Sequence, residues 1–279
     1  MFRFGVRAHD FGKLPVEELA KRISDRGIPS IQLALGKAVA GLDAGPGSFS
    51  PGLARYIGDT FANHNIQIAV LGCYNNLIHP DPGIRRDYIA RFKEHLRYAR
   101  DFGCSVVGTE TGSLNGDYSF HPDNHGETAL RLFLESLTEL VTEAEKFGVF
   151  VGIEGVASHV VSSPDRMKQV CDTIQSNNLQ VILDPVNLLT VENYEDQDRI
   201  LDQAFEQYGK RIVVLHLKDF TIEHGQKNSA PIGDGLFHFE YLLKKVQSRK
   251  PYINMLLEET TPETVAASIQ KLQEIAGRV

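Results

Sequence analysis

The stretch LRLFLESLTELVTEAEKFGVFVGIEG (Leu130–Gly155) decides the fold. Its first part repeats apolar residues at intervals of three and four, the period of a helix with one buried face. Gly148 fits a C-terminal stop, because glycine enters the left-handed conformation at little steric cost. The run that follows is short and almost wholly apolar, as a strand covered by helices should be, and it ends on an acid. The same unit recurs in both directions. Strand-like runs begin at Phe2 (FRFGVRA), Pro29 (PSIQLAL), Ile66 (IQIAVLG), Cys104 (CSVVGTE), Gly148 (GVFVGIE), Leu179 (LQVILD), Arg211 (RIVVLHL) and Ile253 (INMLLEE). Between them lie helical patterns such as VEELAKRISDRG and YIARFKEHLRYARDFG, with stops at Gly27 and Gly103. Ser163-Pro164-Asp165 and Thr261-Pro262-Glu263 mark further helix starts, with proline at the first helical position.

Eight strand–helix units with no helix-only block predict a parallel sheet, and eight is the number that closes a barrel. A doubly wound sheet would carry a GxGxxG turn after its first strand; the sequence there is RAHDFGKLP. The expected fold is therefore α/β, a (β/α)8 TIM barrel, formed by residues 1–279 as one domain. The length of 279 residues suits it, since such barrels take ~250. No linker rich in Pro, Gly or Ser divides the chain, and AVAGLDAGPGSFSP (Ala38–Pro51) reads as a loop at the barrel mouth.

Composition narrows the functional classes. Hydrophobic residues make up 42% and charged residues 23%, an ordinary globular balance, and the net charge of -7 offers no general attraction to nucleic acid or an anionic membrane. Cys73, Cys104 and Cys171 lie far apart without a CxxC, so they read as three buried thiols rather than disulfides or a zinc site. The N-terminal MFRFGVRAHDFG lacks the apolar core of a signal peptide. No run approaches the ~18 apolar residues of a membrane span. A soluble, cytoplasmic protein is expected.

In a barrel of this kind the chemistry lies where the strands end. The fifth run ends in Glu154, the sixth in Asp184, the seventh carries His216 in HLKD, and the eighth ends in Glu258. Each alone would read as a cap, an ion pair or a hydrogen-bonded core residue. Together they place four metal-type side chains on four successive strand ends. Three carboxylates converging there would repel one another unless a cation lay between them. Oxygen-rich ligation with one imidazole suits Mn2+, Mg2+ or Co2+, with Zn2+ a further option. Glu259 competes with Glu258, and alternation along a strand lets only one point inward; Glu258 is the expected ligand. His9, Tyr74, His79, Glu110, Asn187 and Lys218 also stand near strand ends, where a hydroxyl-rich ligand would need them, as do Gln32, Asn75 and Asp219. Lys218 shares a face with His216 and is the expected cationic contact, with pairing to Asp219 or Glu258 as its alternative role. The glycines of PIGDGLFHF (231–239) read as a turn whose amides a phosphate could also use.

The set Glu154, Asp184, His216 and Glu258, with HLKD on the seventh strand, resembles the xylose isomerase-like TIM-barrel superfamily. That group includes sugar-phosphate isomerase/epimerase-like proteins, ketose 3-epimerases, inosose dehydratases and endonuclease IV. The resemblance runs from GVRAHDF through GCYNNLIHPD and GTETG to LDPVN, HLKD and LLEETTPE. In the ketose 3-epimerases a Glu–Asp–His–Glu quartet holds one divalent metal, and the resemblance carries that role onto Glu154, Asp184, His216 and Glu258. It also implies Glu154 and Glu258 as the catalytic pair that removes and returns a proton through a metal-bound enediolate. The expected metal is Mn2+, the expected partner a small sugar or sugar phosphate, and a homodimer or homotetramer is implied. Asn187 departs from the pattern, because the 3-epimerases and endonuclease IV place a histidine there. Glu110 likewise stands where the nuclease has a histidine. The nuclease's further ligands are absent after HLKD, so an action on DNA fits poorly. The expected function is a divalent-metal-dependent sugar isomerase or epimerase. An inosose dehydratase-type lyase and a non-catalytic carbohydrate-binding barrel are the alternatives.

Overall fold

In the computed structural model, which describes residues 2–279, eight parallel strands close on themselves. Around the barrel run β1 (Arg3–Arg7), β10 (Asn254–Leu257), β7 (Ile212–Leu217), β6 (Leu179–Leu183), β5 (Phe150–Glu154), β4 (Val106–Glu110), β3 (Gln67–Gly72) and β2 (Ser30–Leu33). Pairing of β1 with β2 completes the ring. The helices α1 (Val16–Ser24), α3 (Pro51–Asn63), α4 (Pro82–Tyr98), α5 (Glu127–Phe147), α6 (Pro164–Thr173), α7 (Gln197–Gln207), α8 (Phe239–Arg249) and α9 (Val265–Ala276) follow the strands, and a single turn, α2 (Leu35–Ala38), follows β2. This is the (β/α)8 barrel that the sequence predicts. The three cysteines are free and buried, as expected. Among the described residues no helix is long and apolar enough to cross a membrane.

Strand alternation divides the apolar residues between two cores. Val151, Ile153, Val181 and Leu183 face outward and belong to the large cluster that packs the sheet against the helices. Val70, Val106, Ile182, Val214 and Leu256 face inward and fill the barrel axis. The inner layer needs glycine opposite its bulky members. A Cβ on Gly108 would meet Val70 Cγ1 at 2.7 Å and Ile182 Cδ1 at 2.8 Å, and one on Gly152 would meet Val106 and Ile182 at 3.0 and 3.1 Å. Ile182 thus occupies the space that two missing side chains leave, which is the interdigitation close packing demands.

Local sequence explains the ends of these elements. Gly148 closes α5 at φ +61°, and Ser163 caps α6 by accepting the Arg166 amide. The expected helix start at Pro262 is displaced: α9 begins at Val265. The Thr261 hydroxyl accepts the Glu263 and Thr264 amides instead, a local turn that competes with the helix. The mouth loop before α3 is pinned by Glu94 of α4, whose carboxylate accepts the Gly47 and Phe49 amides at 2.7 and 2.9 Å. Two strands were not expected. After β7 the polar segment forms a hairpin of β8 (Asp219–Glu223) and β9 (Gln226–Ala230), turning at His224-Gly225, both at positive φ. Its residues are mostly exposed and polar, so the hydrophobic periodicity that marks the barrel strands is absent.

Candidate metal centre

Two positions beyond an inward-facing position on each of four strands stands a polar side chain. Gly152 is followed by Glu154, Ile182 by Asp184, Val214 by His216 and Leu256 by Glu258, so alternation turns all four into the barrel just above its apolar plug. All four are buried, and one ligand atom from each lies within 4.8 Å of every other. His216 Nδ1 is 3.1 Å from Glu154 Oε2 and 3.1 Å from Glu258 Oε1. Glu258 continues the β10 register, its amide donating to the Leu217 carbonyl at 2.9 Å. Glu259 departs from it at φ +56° and is exposed, so Glu258 is the glutamate that faces inward.

Each carboxylate is held separately. Asn187 Nδ2 donates to Glu154 Oε1 at 2.7 Å while its own amide donates to Asp184 Oδ1 at 3.0 Å. Tyr74 reaches Glu154 Oε2 at 3.4 Å and donates to Gln32 Oε1 at 3.0 Å. Lys218 Nζ lies 3.0 Å from Asp184 Oδ2 and 3.2 Å from Glu258 Oε2, and Arg7 lies 3.6 Å from Glu258 Oε2. Lys218 therefore pairs with Asp184 and Glu258. Asp219 instead organises the turn after the hairpin: its carboxylate accepts the Phe220, Gly233, Gly235 and Phe237 amides. The glycine amides considered for a phosphate are thus already taken.

Electrostatics show how strongly these groups act on each other. Burial alone would lower the His216 imidazolium, but Glu154 and Glu258 outweigh it and push its pKa up to about 10. Burial would raise Glu258, yet His216 and Lys218 hold it well below the usual carboxylate range. Asp184 is pushed up to about 6, by burial and by Glu258 and Glu154 acting against Lys218. Burial, then Glu154 and Glu258, carry Glu110 up to about 8. Tyr74 is raised well above the ordinary phenol value by burial and the same carboxylates, so it stays a donor.

The donor set fits a divalent cation. Asp184 Oδ2 and His216 Nδ1 are buried and make no well-directed hydrogen bond, only the close ion-pair contacts to Lys218, Glu154 and Glu258, although buried polar atoms are nearly always paired. Three carboxylates carry three negative charges; a divalent ion and the Lys218 ammonium cancel them with His216 neutral. Three oxygens and one imidazole nitrogen suit Mn2+, Mg2+ or Co2+ and also accommodate Zn2+.

The remaining expected residues divide. His9, on the short turn after β1, has its pKa pushed down to about 4 by burial and by Arg7, and its Nδ1 is buried without a partner. Glu110 is the register neighbour of Glu154 on β4. His79 stands apart: its ring accepts the Asp81 amide at 3.1 Å and packs edge-on against Tyr88, serving the start of α4. Asn75 donates to Cys73 Sγ. Sequence reasoning missed Arg7, which RAHD places at the end of the first strand. It also missed Tyr118 and His159, which lie on loops and carry no strand-end signal.

A closed parallel barrel with an acid-rich quartet at its strand ends defines a class, and sequence comparison agrees with it. A family model for the xylose isomerase-like TIM barrel matches residues 20–275, and the chain belongs to that family. No curated protein matches the chain. Among solved structures, it is similar to a putative xylose isomerase from Rhodospirillum rubrum (14% identity over 98% of this chain and 99% of that one, TM-score 0.77). It is also similar to the 3-keto-D-glucoside 4-epimerase from E. coli (13%, 98% and 100%, TM-score 0.70). A third is a xylose isomerase-like TIM barrel protein from Mycobacterium smegmatis in complex with magnesium (16%, 99% and 96%, TM-score 0.71). At these identities the likeness concerns the fold.

Proposed function

We propose that the protein is a divalent-metal-dependent isomerase or epimerase of a small sugar or sugar phosphate, working by proton transfer next to a carbonyl. The observation that carries this reading is the convergence of Glu154, Asp184, His216 and Glu258 within 4.8 Å. The E. coli epimerase and the magnesium-bound M. smegmatis protein support it through their common fold. A divalent ion held by the quartet would polarise a carbonyl and its neighbouring hydroxyl and so acidify the C–H between them.

The chain's own groups supply the rest. Glu154 removes the proton; Asn187 fixes its Oε1, leaving Oε2 to face the site. Glu258 returns a proton from the other flank, since β6 and β7 separate the two glutamates around the ring. His216 and Lys218 favour the ionised form of Glu258, so it takes up a proton from solvent before it can return one to the substrate, while Glu154 gives the abstracted proton back to solvent. Tyr74 and Lys218 stabilise the oxyanion that develops as the proton leaves.

Solvent-deuterium exchange into a panel of ketoses and ketose phosphates tests the reading. Exchange is expected with the Mn2+-loaded protein and should vanish in Glu154→Gln; retained exchange in that variant contradicts Glu154 as the base. A product that has lost water would assign the chain to the lyase reading instead. Binding of polyols without any exchange would assign it to the carbohydrate-binding reading.

A further inference from the structure

Beside the quartet lies a second polar group on residues from three separate segments. Glu110 ends β4 next to Glu154. His159, on the loop after β5, places Nδ1 3.6 Å from Glu110 Oε2. The Tyr118 ring lies edge-on against the His159 ring, with centroids 4.8 Å apart and planes at 79°. Neither His159 Nδ1 nor the Tyr118 hydroxyl, which lies beside the Glu110 carboxyl, makes a well-directed hydrogen bond, and both atoms are buried.

The backbone is arranged to keep them there. Tyr118 sits at φ +70°, a conformation that costs a non-glycine residue ~1 kcal/mol or more and needs support from its surroundings. The support is explicit: Ser113 Oγ donates to the Ser119 carbonyl, and Asn115 Nδ2 donates to Ser119 Oγ and the Phe120 carbonyl. The His159 loop is tied down as well, the Ala157 amide donating to the Asn187 carbonyl at 2.8 Å. Asn187 is the residue that holds Glu154.

We propose that Glu110, His159 and Tyr118 form a hydroxyl-binding subsite that takes a polyol chain beyond the metal-chelating carbons. It selects an unphosphorylated end. The inference rests on the proposed isomerase or epimerase reading and specifies its substrate class. A sugar hydroxyl can donate to Glu110 and accept from Tyr118, and its neighbour can donate to His159 Nδ1, so a vicinal diol completes all three. A phosphate would meet the Glu110 and Glu154 carboxyl groups, while the Lys218 and Lys37 ammoniums act on Glu110 only from beyond ion-pair distance.

The test compares a ketohexose with dihydroxyacetone, a ketose too short to reach the subsite. Deuterium exchange is measured in Mn2+-loaded wild type, Tyr118→Phe, His159→Gln and His159→Ala. The ratio of kcat/KM for the ketohexose to that for dihydroxyacetone is expected to fall ~10-fold or more in each variant, mainly through KM, while the Mn2+ Kd stays within about twofold. Equal losses on both substrates, or no loss on either, would overturn the subsite and leave the metal chemistry standing. If wild type exchanges neither substrate, the reaction assigned above fails. The subsite is then judged by saturation-transfer NMR with the ketohexose, where binding lost in Tyr118→Phe supports it and absence of binding to wild type overturns it.

Discussion

Loading an ion onto the quartet must expel a proton, and the structure says which one. Without an ion His216 sits between two glutamates, is charged, and holds its proton up to about pH 10. An ion can bind Nδ1 only when the imidazole is neutral, so protons and metal compete for the same lone pair. Between pH 6.5 and 8.5 this one proton alone should raise the apparent affinity for Mn2+ ~10-fold per pH unit, the 1.36 kcal/mol of one pKa step, or about 100-fold across the window. Near pH 7, Glu110, held up to about 8, adds a further fraction of a proton as the cation draws it down. At pH 8.5 that contribution is mostly spent, and about one proton per ion remains. Stability follows with a definite sign. A pKa raised on folding stabilises the ion-free protein fully below pH 6.5, the ordinary histidine value, and this is lost as pH rises through about 10. The loaded protein should show no such loss. Anaerobic calorimetric titration in buffers of different ionisation enthalpy measures the protons released. Release near zero at pH 8.5 would refute the placement of His216 as a charged partner displaced by the ion.

Two further outcomes follow from single contacts. Asn187→Ala removes the 2.7 Å hydrogen bond that orients Glu154 and should weaken Mn2+ binding ~10–100-fold, read by titration followed by electron paramagnetic resonance. Asp219→Ala strands four backbone amides that converge on one carboxylate. Thermal or urea unfolding should show a loss of about 3 kcal/mol, and a loss below about 0.5 kcal/mol would mean that those amides have other partners.

The quartet was legible because each member follows the same local rule. Glu154, Asp184, His216 and Glu258 each stand two residues beyond an inward-facing core position, so a pattern of period two suffices to aim them. The same rule separates Glu258 from Glu259, whose positive φ turns it outward. What escaped depends on distant chain. Tyr118 and His159 meet only because two loops are folded back over the mouth, and no spacing in sequence encodes that. The β8–β9 hairpin escaped because, beyond the buried Asp219 and Phe220, most of its residues face water and need no apolar alternation. Asn187 was legible as a mouth residue, but its grip on Glu154 emerges only when β5 and β6 lie side by side. At His79 a strand end and a helix start adjoin, and in the structure its ring accepts an amide at the start of the helix.

The most direct measurement is anomalous diffraction from crystals of the Mn2+-loaded protein, recorded at the manganese edge, with elemental analysis of the same preparation. The account predicts one ion per chain within bonding distance of Glu154, Asp184, His216 and Glu258. An ion bound elsewhere, or no bound ion after full reconstitution, would contradict it.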